Sequence, residues 1–301
     1  MAAQVKIIED SISEAGVRLT TFQLRYWRAI HAELLTHRVF SRNASSSRAI
    51  PVAKMIQQVR DDPAGPIHWG KNQPGMQASE ELTGEDLSHA KSAWLRAGWM
   101  AANHAEEMMA IGAHKQIVNR LLEPFQYISV VLTATDFDNW FELRAHENAQ
   151  PEIQELATLM RDRMNESTPT LLRDGEWHLP YVTAADLNAF GPIQTYLRGG
   201  PDGMRVWNDE MLWDVARKVS AARCCRVSYL KHDGSASSIE EDIALCDRLA
   251  GSRPIHASPF EHQATPDRRV DDDGHQCWLM PENHGNLRGW IQNRKLIEKA
   301  V

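Results

Sequence analysis

The sequence predicts a globular chain that combines a few β-strands with a larger number of α-helices. Residues 16–26 (GVRLTTFQLRY) alternate apolar and polar side chains, which is the pattern of a half-buried strand. Residues 83–125 instead carry apolar side chains at every third or fourth position, which is the period of a helix. With 301 residues, 43% of them hydrophobic and 24% charged, the chain suffices for one large domain or two ordinary ones.

Further helices are predicted on both sides of that long segment. Apolar residues have helical spacing over residues 27–40 and again over 48–62. Gly112 is expected to divide the segment 83–125 into two helices, because glycine disfavours a helix interior. Residues 139–164 predict another helix, which is interrupted near Pro151.

The second half of the chain predicts a boundary followed by more helices. Residues 164–205 have no clear period and are predicted to form an irregular connector. Residues 211–230 and 237–252 predict two helices, and the last residues predict a short strand and a final helix. The chain is therefore divided into a first part, 1–163, the connector, and a C-terminal part, 206–301.

Charge and cysteine content exclude several classes of function. The net charge of -7 argues against binding of long nucleic acid, which needs a wide positive surface. No apolar run approaches the roughly 18 residues of a membrane span, and the N-terminal residues lack the pattern of a signal peptide. The four cysteines form no CxxC pair, so we expect no metal site and a reduced, cytoplasmic protein.

One short segment stands out against this acidic background. Residues 36–51 (THRVFSRNASSSRAIP) contain one histidine, three arginines, one asparagine and four serines, but no acidic residue. Arginine forks and serine hydroxyls are suited to gripping the oxygens of a phosphate. The segment is therefore predicted to bind a small anionic ligand.

The same segment resembles the signature of flavin-dependent thymidylate synthases. That signature runs Arg-His-Arg, two residues, then Ser-x-Asn-Glu-x-Ser-x-Arg-Tyr, and its matching positions here are His37, Arg38, Ser41, Asn43, Ser46 and Arg48. Further blocks resemble other family segments: residues 114–125 (HKQIVNRLLEPF), 133–153 (TATDFDNWFELRAHENAQPEI), 221–230 (AARCCRVSYL) and 254–262 (PIHASPFEH). In the family the last two blocks precede the signature, whereas here they follow it.

The resemblance implies a fold and an assembly. It implies an α+β fold with a mixed or antiparallel sheet and a bundle of long helices, in which the order of the motifs is circularly permuted. Residues 1–163 would form the flavin- and nucleotide-binding part, and residues 206–301 would complete the same domain. Family members are homotetramers whose sites form between subunits, so a homotetramer is expected.

The resemblance also implies an activity. Family members transfer a one-carbon unit from methylenetetrahydrofolate to C5 of dUMP and reduce it with FAD and NADPH. It therefore implies FAD, NADPH and methylenetetrahydrofolate as cofactors and dUMP as substrate. No enzyme cysteine is needed to attack the ring, because an arginine can stabilise the negative charge that develops on it.

Roles for individual residues follow from the matching motifs. Arg144 and His256 are expected to be catalytic. The residues expected to bind the cofactor are Thr36, His37, Arg38, Asn43, Asn139 and Ser258. The residues expected to bind the substrate are Glu33, Ser45, Ser46, Ser47, Arg48, Arg120 and Arg144. Structural alternatives stay open: Arg144 could pair with Glu147, Arg120 could form a surface ion pair, Arg48 could be solvated, and His256 could belong to a turn.

Several positions depart from the family pattern. Thr36 replaces the first arginine of the signature, Ala44 its glutamate and Ala49 its tyrosine. Thr133 and Thr135 stand where the family often has asparagine and arginine. These changes lie on the ring and cofactor side. They leave two alternatives: a related flavin enzyme that methylates or hydroxymethylates another pyrimidine deoxynucleotide such as dCMP, or a non-catalytic nucleotide-binding relative.

Overall fold

A computed structural model describes residues 3–197, 209–227, 235–273 and 275–299 of the chain. Its strands are β1 Gln4–Ser13, β2 Arg18–Trp27, β3 Ser41–Ala44, β4 Tyr127–Ala134, β5 Thr170–Leu172, β6 Ala264–Pro266, β7 Arg269–Asp272, β8 His275–Trp278 and β9 Trp290–Gln292. Its helices are α1 His31–Leu34, α2 Val52–Asp61, α3 Gly84–Ala110, α4 Lys115–Val118, α5 Asp138–Arg144, α6 Pro151–Glu166, α7 Ala184–Leu197, α8 Asp209–Arg226, α9 Ile239–Gly251 and α10 Asn293–Lys299.

A five-stranded sheet in the order β3-β4-β2-β1-β5 organises the molecule. β2 pairs antiparallel with both β1 and β4, and β3 pairs antiparallel with β4. β5 pairs parallel with the end of β1, so the sheet is mixed. The predicted α+β class with a mixed sheet is confirmed.

The two faces of this sheet bury different kinds of side chain. Because successive side chains of a strand point to opposite faces, Leu132 of β4 faces the main apolar core, which also contains Phe22 of β2 and Leu156 of α6. Thr133 of β4 faces the opposite way and hydrogen-bonds to His262 in the C-terminal part. The C-terminal part therefore packs directly on the sheet of the first part.

Most predicted helices are present near their expected positions. α3 is 27 residues long and ends two residues before Gly112, whose φ of 82° only glycine adopts readily. α6 begins at Pro151, where the interruption was predicted. The segment 27–40 is less helical than predicted: it contains a 3-10 turn, Arg28–Ile30, and the single turn of α1.

The prediction of an irregular connector over residues 164–205 is wrong where the structure describes it. It contains β5 and α7, and α7 starts with a reciprocal cap between Thr183 and Asp186. Leu187 of α7 packs against an apolar cluster that includes Val219 of α8, which gives the helix an apolar partner. Residues 198–205, and 228–230 of the AARCCRVSYL block, lie outside the described residues. Within the described residues, no helix has the length and apolar character needed to cross a bilayer.

Candidate functional site

The first candidate site is a cavity of about 260 Å³ between the signature segment and α5. α5 follows directly on β4, so its residues lie at the end of the central sheet. The lining residues are Thr36, His37, Arg38, Val39, Asp136, Asn139, Trp140, Leu143 and Arg144. Five of the predicted cofactor or catalytic residues therefore meet here, although the signature and α5 are far apart in the sequence.

Arg144 is held in this cavity by two partners. Its Nη1 lies 3.0 Å from Oε2 of Glu33, and its Nε donates to Nε2 of His37 at 3.2 Å. In the described contacts its carboxylate partner is thus Glu33, and not Glu147 as the alternative supposed. A guanidinium has five N–H groups, so three remain without a partner among the described residues. Those N–H groups can donate to a ligand.

His37 is neutral in this arrangement. Because Nε2 accepts a hydrogen bond from Arg144, the ring proton lies on Nδ1. Burial of the ring lowers the pKa of His37, and the charges of Arg144 and Arg42 lower it further. The ring packs edge-on against Trp140, with 4.8 Å between ring centroids. His37 therefore offers a flat, neutral wall rather than a charge.

The donors around this cavity fit a flavin. Arg38 and Asn139 are exposed, and the indole Nε1 of Trp140 is buried without a hydrogen-bond partner among the described residues. Cations, amides and aromatic walls are what a flavin ring and its pyrophosphate require. A typical pocket for a small molecule measures about 300–1,000 Å³, so this cavity alone could take only part of FAD.

A second cavity, of about 470 Å³, collects two of the predicted phosphate ligands. Its lining residues are Arg48, Met108, Gln116, Ile117, Arg120 and Leu121. Arg120 pairs with Glu123 at 2.8 Å and is 56% exposed, as the alternative of a surface ion pair supposed. Arg48 is exposed and its guanidinium has no ion pair among the described residues. Arg48 is thus available to an anion.

The three serines of the signature are already hydrogen-bonded within the chain. Ser45 continues the pairing of β3 through mutual hydrogen bonds with the backbone of Ser129. Ser47 is buried and donates to Glu123, while the hydroxyl of Ser46 accepts from the backbone N–H of Arg48. Their contacts fix the path of the backbone that carries Arg48.

Besides Glu33 and the three serines, three predicted site residues line neither cavity: Asn43, His256 and Ser258. Asn43 donates to the backbone carbonyl of Cys224, so it joins β3 to α8. His256 and Ser258 are exposed in the segment after α9, and the backbone N–H of His256 donates to Leu249. Their roles stay predictions. The lining residues Val39, Asp136, Trp140 and Leu143 were not predicted, although all lie inside motif blocks that were recognised.

A buried chain of hydrogen bonds runs across the sheet face opposite the main core. His178 shares hydrogen bonds with Ser11 at 2.9 Å and with Thr21 at 2.7 Å. Thr21 is 2.7 Å from the hydroxyl of Thr133, which is 2.8 Å from Nδ1 of His262. Burial lowers the pKa of both histidines to about 3, so both are neutral at ordinary pH.

The burial of these two histidines predicts that the folded protein is less stable in acid. A histidine whose pKa is lower in the folded state than its ordinary 6.5 stabilises fully above pH 6.5 and loses that contribution as the pH falls. At about pH 5 each of His178 and His262 should cost about 2 kcal/mol relative to neutral pH. Urea unfolding at both pH values measures this. His262→Gln should reduce the difference between the two unfolding free energies by about half. His104→Gln, which changes an exposed histidine, should leave that difference unchanged. If His262→Gln also left it unchanged, the buried histidine would not be its cause.

Comparison with known proteins adds a family match. The family model described as "Thymidylate synthase complementing protein" matches residues 17–170. Two solved structures of the UMP/dUMP methylase PolB from Streptomyces cacaoi, bound with 5-Br UMP and 5-Br dUMP, are 15% identical to this chain. Each alignment covers 55% of this chain, and the two alignments cover 89% and 90% of the PolB chains. The TM-scores are 0.45 and 0.46. No curated protein sequence matches. The range 17–170 contains every described residue that lines either cavity.

Proposed function

The chain belongs to the thymidylate synthase complementing protein family, and we propose that it transfers a one-carbon unit from methylenetetrahydrofolate to C5 of dUMP, with FAD and NADPH. The observation that carries this proposal is the cavity in which Arg144, neutral His37, Arg38 and Asn139 meet. In the family these matching positions serve the flavin and the pyrimidine ring. Here they line one cavity, and Arg144 keeps three N–H groups that no described residue uses.

Arg144 acts on the pyrimidine. Its free N–H groups stabilise negative charge on N3 and on the C4 oxygen, which makes C5 of the ring nucleophilic. Glu33 and His37 orient the guanidinium by accepting from Nη1 and Nε. No thiol is required at C6. Glu33 therefore serves the substrate through Arg144.

Thr36, His37, Arg38 and Asn139 would hold the flavin, with Asn43, His256 and Ser258 as further predicted contacts. When bound, FAD supplies the hydride that reduces the transferred carbon, and NADPH supplies that hydride to the flavin. Trp140 and His37 exclude water from this wall of the site, because both rings are buried.

Arg48 and Arg120 bind the phosphate of the nucleotide from the second cavity. Ser45, Ser46 and Ser47 hold the backbone beside Arg48, and the exposed Ser46 accepts from the backbone N–H of that arginine. Arg48 offers this cavity a guanidinium without an ion pair among the described residues, and Arg120, which also pairs with Glu123, has further N–H groups for the phosphate oxygens.

The assembly proposed is a homotetramer with sites between subunits. Neither cavity alone accommodates both FAD and a nucleotide, so a complete site would combine cavities of neighbouring chains. α3 carries the exposed apolar residues Leu95, Trp99 and Met100 along its length, and we propose that such helices form the bundle between subunits. Contacts such as Asn43 with Cys224 and Thr133 with His262 support a circularly permuted single domain in which residues 206–301 complete residues 1–163.

A second candidate substrate is another pyrimidine deoxynucleotide, such as dCMP. It is favoured by two departures from the signature: Ala44 replaces the glutamate and Ala49 the tyrosine. Both alanines are exposed, and they offer a ligand neither a carboxylate nor a phenol. Such an enzyme could leave a methyl or a hydroxymethyl group on C5. Both candidates use the same phosphate site and the same Arg144.

The visible absorption spectrum of the purified protein, titrated first with dUMP and then with dCMP, tests the function. A flavin band that shifts with dUMP supports thymidylate synthesis, and a shift with dCMP alone favours the second candidate. A protein that takes up no FAD on reconstitution would contradict both and support a non-catalytic nucleotide-binding relative.

Arg48→Ala should weaken nucleotide binding by about 2 kcal/mol, because one partner of a charged hydrogen bond is lost. The nucleotide titration of the flavin band gives this affinity. Flavin uptake should stay unchanged, because Arg48 does not line the first cavity. Arg161→Ala, which removes an exposed arginine outside both cavities, is the control. If Arg48→Ala binds dUMP as the original protein does, Arg48 is not a phosphate ligand.

A further inference from the structure

A loop of the C-terminal part contacts the signature segment from outside the range matched by the family model. Asn286 lies between the 3-10 turn Pro281–Asn283 and β9. Its Nδ2 donates to the backbone carbonyl of Val39 at 2.8 Å. Its Oδ1 accepts from the hydroxyl of Ser41 at 3.1 Å and from Nε2 of Gln292 at 3.0 Å. Val39 itself lines the first cavity.

The orientation of the Asn286 amide is determined by these partners. The carbonyl of Val39 can only accept, so the nitrogen of the amide must face it. The Gln292 NH₂ group can only donate, so the oxygen of Asn286 must face Gln292. All three contacts are satisfied by one rotamer and one amide orientation. Gln292 is 1% exposed and also donates to the backbone carbonyl of Glu261, which holds it in place.

The loop that carries Asn286 is itself built to be rigid. His284 is buried, and its ring accepts from the backbone N–H of Gly289 and bonds to Asp267 at 2.8 Å. Gly285 has a φ of 58°, and a Cβ there would meet Oε1 of Gln292 at 2.5 Å. A side chain at position 285 would therefore displace the Gln292 amide that contacts Asn286.

Around Arg38, from residue 35 to residue 40, the other backbone carbonyls that a described side chain binds are held by Arg42. Arg42 donates to the backbone carbonyls of Leu35, His37 and Phe40. The carbonyl of Val39 is bound by Asn286 instead. Arg42 and Asn286 together thus fix the backbone on both sides of Arg38, whose own side chain is exposed.

We propose that Asn286 is a positioning residue for the cavity wall Thr36–Phe40, and that it sets the direction in which Arg38 and Val39 meet the flavin. This inference rests on the proposed function in so far as it names the flavin. The geometric part, the fixing of the wall, does not depend on the ligand. The C-terminal part then contributes to the cofactor site through the backbone, without lining the cavity itself.

Two variants test the proposal. Asn286→Ala removes all three hydrogen bonds, and Asn286→Asp keeps an acceptor for Ser41 and Gln292 but loses the donation to Val39. Both should bind FAD about 10-fold more weakly. Neither should change the affinity for dUMP by more than about twofold once flavin is saturating, because the phosphate arginines lie in the other cavity. Gln276→Ala, an exposed amide on β8 in the same part of the chain, is the matched control.

Hydrogen exchange of the free protein separates this inference from the proposed function. Peptides that cover residues 35–44 should exchange faster in both Asn286 variants than in the control, while peptides of α6 should not change. If the original protein takes up no FAD, the proposed function fails, and the exchange result still decides the role of Asn286. Unchanged exchange over residues 35–44, or an Asn286→Asp variant that binds FAD like the original protein, would overturn the proposal.

Discussion

Arg144→Ala is expected to lower kcat by about 10²–10³-fold while leaving flavin binding within about threefold of the original value, because the loss of one donor to a developing oxyanion typically costs this much. In the cavity Arg144 has three N–H groups that no described residue uses, and these are the donors that the substitution removes. Single-turnover kinetics at saturating dUMP, with the flavin content measured in parallel, gives both quantities.

The partners that Arg144 leaves behind limit the damage to the fold. Glu33 is 38% exposed, so water can solvate its carboxylate when the guanidinium is absent. His37 loses both a hydrogen-bond donor and a neighbouring positive charge, so its pKa should rise toward the ordinary value. An NMR titration of His37 in the variant would detect this rise and show that the two side chains are in contact.

Arg144→Lys should recover little of the activity. A lysine keeps the charge but cannot reproduce the planar fork that contacts Glu33, His37 and a ligand at the same time. Arg163→Ala on α6, whose ion pair with Glu166 is exposed, is the control and should keep full activity. An equal loss of flavin in Arg144→Ala would assign the residue to the cofactor, and an unchanged kcat would remove it from the chemistry.

The sequence predicted elements well where one period dominates. α2, α3 and α9 show a clear helical period or a strong cap, and each is present. β1 and β4 were not predicted, although both are rich in β-branched residues. β4 is buried at nearly every position, so it shows no alternation of apolar and polar side chains that would identify a strand. The connector was predicted as irregular because its cap, Thr183 with Asp186, and its apolar contacts become informative only when α8 supplies a partner.

The candidate site could be predicted as far as motifs identify residue types. The signature was found, and its predicted residues Thr36, His37 and Arg38 share one cavity with the predicted Asn139 and Arg144. What a motif cannot give is which side chains contact each other across the fold. Glu33 and Arg144 are 111 residues apart in sequence, and Val39 and Asn286 are 247 apart. The hydrogen-bonded pair of His178 and Thr21 likewise depends on the packing of a loop on the sheet.

A buried arginine in the C-terminal part is expected to contribute strongly to the stability of the fold. The Arg223 side chain is 8% exposed, and it donates through Nη1 and Nη2 to both carboxylate oxygens of Asp186, at 2.8 and 2.9 Å. Its Nε donates to Asp242 at 3.0 Å, and Nη1 also donates to the backbone carbonyl of Tyr181. One guanidinium therefore links the start of α7, the last turn of α8 and the first turn of α9.

Arg223→Ala should lower the free energy of unfolding by about 3–5 kcal/mol, because removing one partner leaves buried carboxylates uncompensated. Asp242 keeps Arg226 as a partner, so most of the cost should arise at Asp186. Urea unfolding measures the loss. Arg268→Ala, whose ion pair with Asp174 is largely exposed, is the control and should cost less than about 1 kcal/mol.

The pH dependence of that loss identifies the carboxylate responsible. Burial raises the pKa of Asp186, but the hydrogen bonds from Arg223 and Thr183 outweigh it, so the net pKa lies below 3.8. A carboxyl with a lowered pKa stabilises fully above its unfolded value and loses that contribution as the pH falls through its folded value. The original protein should therefore lose this stability below about pH 4, whereas Arg223→Ala should be less sensitive to acid there. If the free energy of unfolding changed equally with pH in both proteins, the role given to Asp186 would be contradicted.

The same helix also contacts the signature strand, because the carbonyl of Cys224 accepts from Asn43 of β3. Hydrogen exchange over β3 should therefore also be faster in Arg223→Ala. Such an increase would link the stability of the C-terminal part to the signature strand.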